Sequence, residues 1–110
     1  MPAAKPKHKH RVVIPVTCST EQKEQVDLAL SHVPPQTRSE HILKLIKGAI
    51  AQKYINYVDD SYTHNSTTEW QISCQRNERD TIYAYCKNNL PARKRSRWIV
   101  SVILNLNLDK

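Results

Sequence analysis

The feature that most limits how this chain can fold is a repeat within it. Val33, Pro34, Arg38, Ser39, Ile42, Leu43, Leu45 and Ile46 recur 57 positions later as Leu90, Pro91, Arg95, Ser96, Ile99, Val100, Val102 and Ile103. A string of matches in one register, joining a turn to an apolar pattern, points to one supersecondary unit present twice. Such a unit cannot bury its apolar face alone and uses its copy to do so. The plainer alternative is a pair of unrelated amphipathic helices with similar starts. With 110 residues, 39% of them hydrophobic, the chain supports one compact domain in which neither half has a core of its own. The halves should therefore pack together.

Each copy reads as a strand followed by two helices. Between Arg11 and Thr17, Val12, Ile14 and Val16 fall on one face of an extended segment and Val13, Pro15 and Thr17 on the other. Pro15 restricts that strand to a setting where one backbone edge is unpaired, as in a two-stranded ribbon. Ser19 and Gln22 form a capping box that opens a helix with Val26, Ala29, Leu30 and Val33 at helical spacing, stopped by Pro34 and Pro35. Thr37 and Glu40 suggest a second capping box, ahead of the core-facing stripe Ile42, Leu45, Ile46, Ala49 and Ile50. An offset of 58 carries Val12, Ile14 and Val16 to Trp70, Ile72 and Cys74, and Ser19 to Asn77, another good helix cap. After that cap the offset of 57 takes over, so that Val26, Ala29 and Val33 become Tyr83, Cys86 and Leu90. Residues Trp98 to Leu108 are rich in β-branched and apolar types and alone could pass for a strand. Their register with Ile42 to Ala51 predicts a helix. The expected organisation is a disordered basic arm over 1–10, a first unit over 11–53, a connector over 54–68 and a second unit over 69–110, with 11–110 one compact body. Fully extended, the connector reaches about 50 Å, enough to bring the second strand beside the first.

The chain contains no apolar run long enough to span a membrane, and no apolar stretch follows the basic N-terminus as in a secretory signal. The cytoplasm is the default expectation. Cys18, Cys74 and Cys86 are an odd set without Cys-x-x-Cys spacing, which argues against a disulfide framework and a zinc site and for reduced small hydrophobes. His8 and His10 lack further ligands, so no metal is expected. The net charge of +7 divides as +4 in residues 1–11, +1 in 12–57, −2 in 58–68 and +4 in 69–110. A basic chain of this size commonly has an anionic partner, nucleic acid before an acidic membrane surface. Lys5, Lys7 and Lys9 would let the arm follow a DNA backbone, or it is a solvated tail.

A strand over Val12 to Thr17, a helix over Ser19 to Val33, and Thr37-Arg38-Ser39-Glu40 with Ile42 opening a second helix together resemble the ribbon-helix-helix (Arc/MetJ-like) family of DNA-binding proteins. The resemblance covers most of the chain, although the family's motif is degenerate. It implies a mainly α fold with a short two-stranded antiparallel β-ribbon that enters the major groove of double-stranded DNA. Here both copies lie in one chain, which implies a tandem form folding as an intramolecular pseudo-dimer. That organisation is similar to TraY-like accessory proteins of conjugative plasmids, and Leu28 to Lys53 also looks like ParR-like plasmid partition proteins.

With the even-numbered strand residues in the core, the open ribbon face presents Arg11, Val13, Pro15 and Thr17 from one strand and Gln71, Ser73 and Gln75 from the other. Gln can pair with the N6 and N7 edge of adenine, and apolar atoms can meet a thymine methyl. The strands should not read the same bases. This departs from the three polar residues usual on both strands of the family, and Gln71, Ser73 and Gln75 could equally be ordinary solvent-facing positions. Phosphates would be held where the second helix of each unit begins, by Thr37, Arg38 and Ser39 in the first copy and by Arg93, Lys94, Arg95, Ser96 and Arg97 in the second. Cations at a helix N-terminus oppose the macrodipole unless an anion sits there. The alternative is a solvated basic turn.

An enzyme is not expected, because no Gly-rich phosphate loop, nucleophile motif or metal cluster is present. No cofactor or small-molecule substrate is expected either. Gly48, the sole glycine, lies in a predicted helix and suggests a close helix crossing. The sequence thus favours a sequence-specific double-stranded DNA binder, a repressor or a plasmid transfer or partition accessory; it leaves open whether further copies line up along repeated sites. The rival class is a protein-interaction module such as an antitoxin or adaptor. A third option, RNA binding, lacks an aromatic stacking platform.

Overall fold

A computed structural model of the chain describes residues 11–58 and 67–106. The arm with Lys5, Lys7 and Lys9, most of the connector, and residues 107–110 lie outside the described residues. The elements run β1 (Arg11–Ser19), α1 (Thr20–Ala29), a 3-10 turn (Pro35–Thr37), α2 (Arg38–Ala51), β2 (Thr67–Gln75), α3 (Arg76–Asn89) and α4 (Arg95–Leu106). Among the described residues the fold is mainly helical with a two-stranded antiparallel sheet, as the sequence implied. The β-branched run after Trp98 is helical as far as Leu106, and β2 begins at Thr67, two residues inside the predicted connector. Among the described residues no helix is long and apolar enough to cross a membrane.

β1 and β2 pair from Arg11 opposite Gln75 to Ser19 opposite Thr67, with Ile14 facing Ile72. Even-numbered side chains turn inward: Ile14, Val16, Ile72 and Cys74 are fully buried, Cys18 nearly so, while Val12 and Trp70 are half-buried. Above them lie Ile42, Ile46 and Ala49 of α2 and Trp98, Ile99, Val102 and Ile103 of α4. Packing is crossed, since α4 lies against β1 and α2 against β2, and the two helices also meet each other. Neither unit encloses its own strand. The three cysteines are unpaired and buried, and burial raises each thiol, that of Cys86 to about 11.

The helix starts show where local rules hold. Ser19 caps α1 through a complete capping box, its Oγ accepting from the Gln22 N–H at 3.0 Å while Gln22 Oε1 accepts from the Ser19 N–H at 3.3 Å. α1 ends at Ala29, a turn earlier than its apolar spacing suggested, yet Leu30 and Val33 beyond it remain buried. The Thr37–Glu40 box does not form. Thr37 closes the 3-10 turn with φ −112° and ψ 9°, outside the extended region that a cap needs, and its hydroxyl donates to the Pro34 carbonyl at 3.2 Å. In the second unit the cap is Gln75, not Asn77: its N–H donates to Glu78 Oε1 at 2.8 Å and the helix begins at Arg76. Gly48 makes no close crossing. It is exposed, and a Cβ placed on it would meet nothing within 4 Å.

α2 ends in a Schellman motif with Lys53, not glycine, in the left-handed region at φ 60°. The Tyr54 N–H donates to Ala49 O at 2.9 Å and the Lys53 N–H to Ile50 O at 3.0 Å. That turn drives Tyr54 onto the second unit. Its carbonyl accepts from Trp98 Nε1 at 2.9 Å and Tyr85 Oη at 2.7 Å, and its hydroxyl lies 2.7 Å from Ser101 Oγ. The start of the connector is thereby pinned to α3 and α4.

Candidate nucleic-acid interface

Antiparallel backbone alternates, residue by residue, between pointing across the ladder and pointing outward. The Thr17 and Ser73 N–H groups point outward, to helix hydroxyls described below, so the odd-numbered residues have their N–H groups on the outer edges. Pro15 shares that phase, and its missing N–H removes nothing from the ladder. Odd-numbered side chains form the open face: Arg11, Val13, Thr17, Gln71 and Gln75 are exposed, and Pro15 and Ser73 are half-buried. All seven proposed base-reading residues thus share one face of the ribbon. Carrying the alternation two residues back from Gln71 adds Glu69, exposed and opposite Thr17, which the sequence reading omitted. Arg11 Nη2 donates to Ser73 Oγ at 3.1 Å, leaning the guanidinium across to β2. Val13, 43% exposed, is a rare large apolar side chain left open, and it sits in this polar face.

Each outer edge of the ribbon is closed by the start of a second helix from the other unit. Ser39 Oγ at the start of α2 accepts from the Ser73 N–H, and Ser96 Oγ at the start of α4 accepts from the Thr17 N–H, both at 3.1 Å. The residue in β1 that corresponds to Ser73 at an offset of 58 is Pro15, which has no N–H to give, so Ser96 meets Thr17 instead. These two serines, read from the sequence as phosphate ligands, therefore dock the helix N-termini against the ribbon. That docking brings both helix–helix turns to the ribbon's outer edges.

The turns themselves differ. In the first, Arg38 faces inward: Nη1 lies 3.4 Å from Asp27 Oδ1 and Nη2 donates to Leu30 O at 3.3 Å. Asp27 is held in turn by Lys23 at 2.8 Å. Thr37 is exposed with its hydroxyl on Pro34, so of the three expected phosphate ligands here none presents a free charge outward. In the second turn, Arg93, Lys94, Arg95 and Lys87 line an open groove of about 490 Å³ together with Tyr83 and Leu90. Aromatic faces support the cations: Arg95 stacks 4.1 Å from the Tyr83 ring centre, with Arg79 on the same ring at 5.7 Å, and Lys94 lies 5.4 Å from that of Tyr57. Such contacts hold a guanidinium or ammonium in place without neutralising it. Arg95 Nε is buried without a hydrogen-bond partner, as are Arg79 Nε and, in the first turn, Arg38 Nε, so this feature does not separate the turns; Arg93 sits at φ 67°, a conformation that costs a non-glycine residue about 1–2 kcal/mol. Arg97 follows in the first turn of α4, its carbonyl accepting from the Val58 N–H at 3.4 Å. Concentrated positive charge at a helix start, with strain kept at its centre, is unfavourable for folding and suits an anion. Among the described residues no group of three or more His, Cys, Asp or Glu side chains is placed to hold a metal ion.

No protein-family model, no curated protein and no solved structure matches this chain.

Proposed function

We propose that this chain is a binding protein, not an enzyme, that recognises a sequence in double-stranded DNA by placing its two-stranded ribbon in the major groove. The observation that carries the reading is the open odd-numbered ribbon face with a cationic helix start docked at its edge. A two-stranded ribbon fits the major groove, which offers a distinct set of donors and acceptors for each base pair. Gln71 and Gln75 are suited to adenine, Arg11 to guanine, Glu69 to the cytosine amino group and Val13 to a thymine methyl. Arg93, Lys94, Arg95 and Arg97 supply the phosphate contacts that set position and most of the affinity.

The proposal includes the tandem ribbon-helix-helix organisation, two strand-helix-helix units acting as a pseudo-dimer within one chain. Crossed packing supports it, and so does the strand register, in which Ile14 faces Ile72, its own counterpart at an offset of 58. A local two-fold axis through that pair would exchange the units. A protein of this kind acts as a repressor or as an accessory in plasmid transfer or partition. Selection of bound sequences from random duplex DNA at near-physiological salt, followed by footprinting, tests the reading, with one enriched motif and one protected site as the expected outcome. If no motif emerges and binding ignores sequence, an adaptor or antitoxin role takes its place.

A further inference from the structure

We infer that the chain binds a non-palindromic duplex in a single orientation, fixed by opposed chemistry on the two halves of the ribbon and by a cationic clamp on one flank only. The inference rests on the DNA-binding reading above and specifies its target. About the proposed axis through Ile14 and Ile72, residue i exchanges with residue i + 58. Arg11 therefore trades places with Glu69, Val13 with Gln71, Pro15 with Ser73 and Thr17 with Gln75. No pair is alike. A palindrome presents identical base edges to positions related by its dyad. An acceptor-rich guanine edge that suits Arg11 would meet the Glu69 carboxylate in the other half, acceptor against acceptor, whereas Glu69 needs a donor such as the cytosine amino group. Gln71 likewise needs a hydrogen-bonding edge where Val13 needs a methyl.

The flanks reinforce this polarity. The turn docked through Ser96 at the β1 edge carries Arg93, Lys94 and Arg95, with Arg97 just inside α4. The turn docked through Ser39 at the β2 edge offers Pro34, Pro35, Gln36 and Thr37, with Arg38 held by Asp27 and the Leu30 carbonyl. Rotation by half a turn on the same DNA would exchange a multivalent phosphate clamp for a neutral turn and mismatch each base contact as well. Two independent features, one reading bases and one binding backbone, select the same orientation.

A chemical nuclease tethered to one side of the full-length chain reads the orientation directly. Cys18, Cys74 and Cys86 are buried, so a cysteine introduced at exposed Ala92 or Gln36 is the one that takes an iron chelate generating hydroxyl radicals. On the selected duplex, the Ala92→Cys conjugate is expected to cut one flank and the Gln36→Cys conjugate the opposite flank. Equal cutting of both flanks by each conjugate would overturn the single orientation while leaving DNA binding intact. A palindromic site selected by the unmodified chain would overturn it without any variant. Failure to bind any duplex at low salt would instead overturn the DNA reading and the inference with it. Glu69→Arg makes one dyad-related pair alike and should bind a symmetrised duplex, with the half-site under Arg11 copied to the other side, about tenfold more tightly than the natural chain does. No gain would remove Glu69 from base readout.

Discussion

The turn between α1 and α2 and the turn between α3 and α4 share a sequence pattern, Val-Pro or Leu-Pro followed by Arg-Ser, and do different work. In the first, the arginine ties the turn together by reaching back to Asp27 and Leu30. In the second, the arginine, half-buried to the same degree, lies on the Tyr83 ring among other cations and is held by a ring face where Arg38 is held by a carboxylate and a carbonyl. Both serines do the same job, closing a ribbon edge. Shared residues set the architecture, and the residues around them decide whether a turn is a brace or a clamp. The same division runs through the core, where His41 in α2 corresponds to Trp98 in α4 at the offset of 57. Trp98 is fully buried, packs against Tyr85 at 5.4 Å between ring centres and bonds the Tyr54 carbonyl, while His41 is half-buried edge-on to His32 at 5.8 Å.

The largest effect that tests this comparison is on stability. Trp98→Ala should cost about 3–5 kcal/mol in denaturant unfolding, through an unfilled volume and the lost bond to Tyr54. His41→Ala should cost no more than about 1 kcal/mol. Equal costs would mean that the two second helices carry equal shares of the core.

If the chain binds DNA as proposed, salt dependence should separate the turns. Replacing Arg93 and Arg95 together by alanine should lower the slope of log affinity against log salt by about two units, roughly one for each lost phosphate contact. Arg38→Ala should leave the slope unchanged and cost about 1 kcal/mol of stability, the worth of its partly exposed ion pair and carbonyl bond. A change of slope in Arg38→Ala would make the first turn a clamp as well. Gln71→Ala should relax base preference at its position by about 1–3 kcal/mol while leaving binding to random duplex unchanged.

Backbone strain divides the two left-handed residues in the same way. Lys53→Gly and Arg93→Gly should each raise stability by about 1 kcal/mol, because each native residue holds a positive φ that glycine adopts without penalty. Only Arg93→Gly should also weaken DNA binding, measured by titration at fixed salt. If both variants bind DNA as tightly as the natural chain, the strain at Arg93 has no bearing on function.

Much of this was legible in the chain itself. The strand alternation and the Ser19–Gln22 box depend on residues close in sequence or on periodicity, and the structure reproduces them. The offset of 57 fails between α1 and α3, where the caps Ser19 and Gln75, Gln22 and Glu78, and buried Val26 and Ile82 correspond at 56. The Thr37–Glu40 box was not legible, because it depends on a backbone angle that the preceding 3-10 turn had already set. Arg38 was misleading for another reason: its partner Asp27 lies eleven residues away on another helix, and nothing local marks the pair. Gly48 suggested a close contact, but the face of α2 on which it falls is decided by the stripe Ile42, Ile46 and Ala49, which turns it to solvent. Glu69 was in view from the alternation and lay one step beyond where the polar run was read.

The two capping boxes offer the smallest and most selective test. The Ser19–Gln22 box is built from neutral side chains and has no titration of its own in the acid range. The box at Gln75 uses the Glu78 carboxylate, which accepts from the Gln75 N–H and pairs with Lys47 Nζ at 2.8 Å. The backbone hydrogen bond first, and Lys47 second, hold its pKa below the ordinary 4.5. Because the folded value is depressed, the carboxylate stabilises the native state above pH 4.5, and that contribution is lost as pH falls through the lowered folded value. A carboxylate in a first turn is worth about 0.3–1 kcal/mol. Melting temperature followed from pH 6 down to 3 should therefore drop further for the natural chain than for Glu78→Gln, the natural chain's advantage closing below about pH 4.5. Gln22→Ala should shift the whole curve down by about 1 kcal/mol without changing its shape. Parallel curves for the natural chain and Glu78→Gln would mean that the cap of α3 holds without its charge, and that the two helix starts differ in sequence but not in physics.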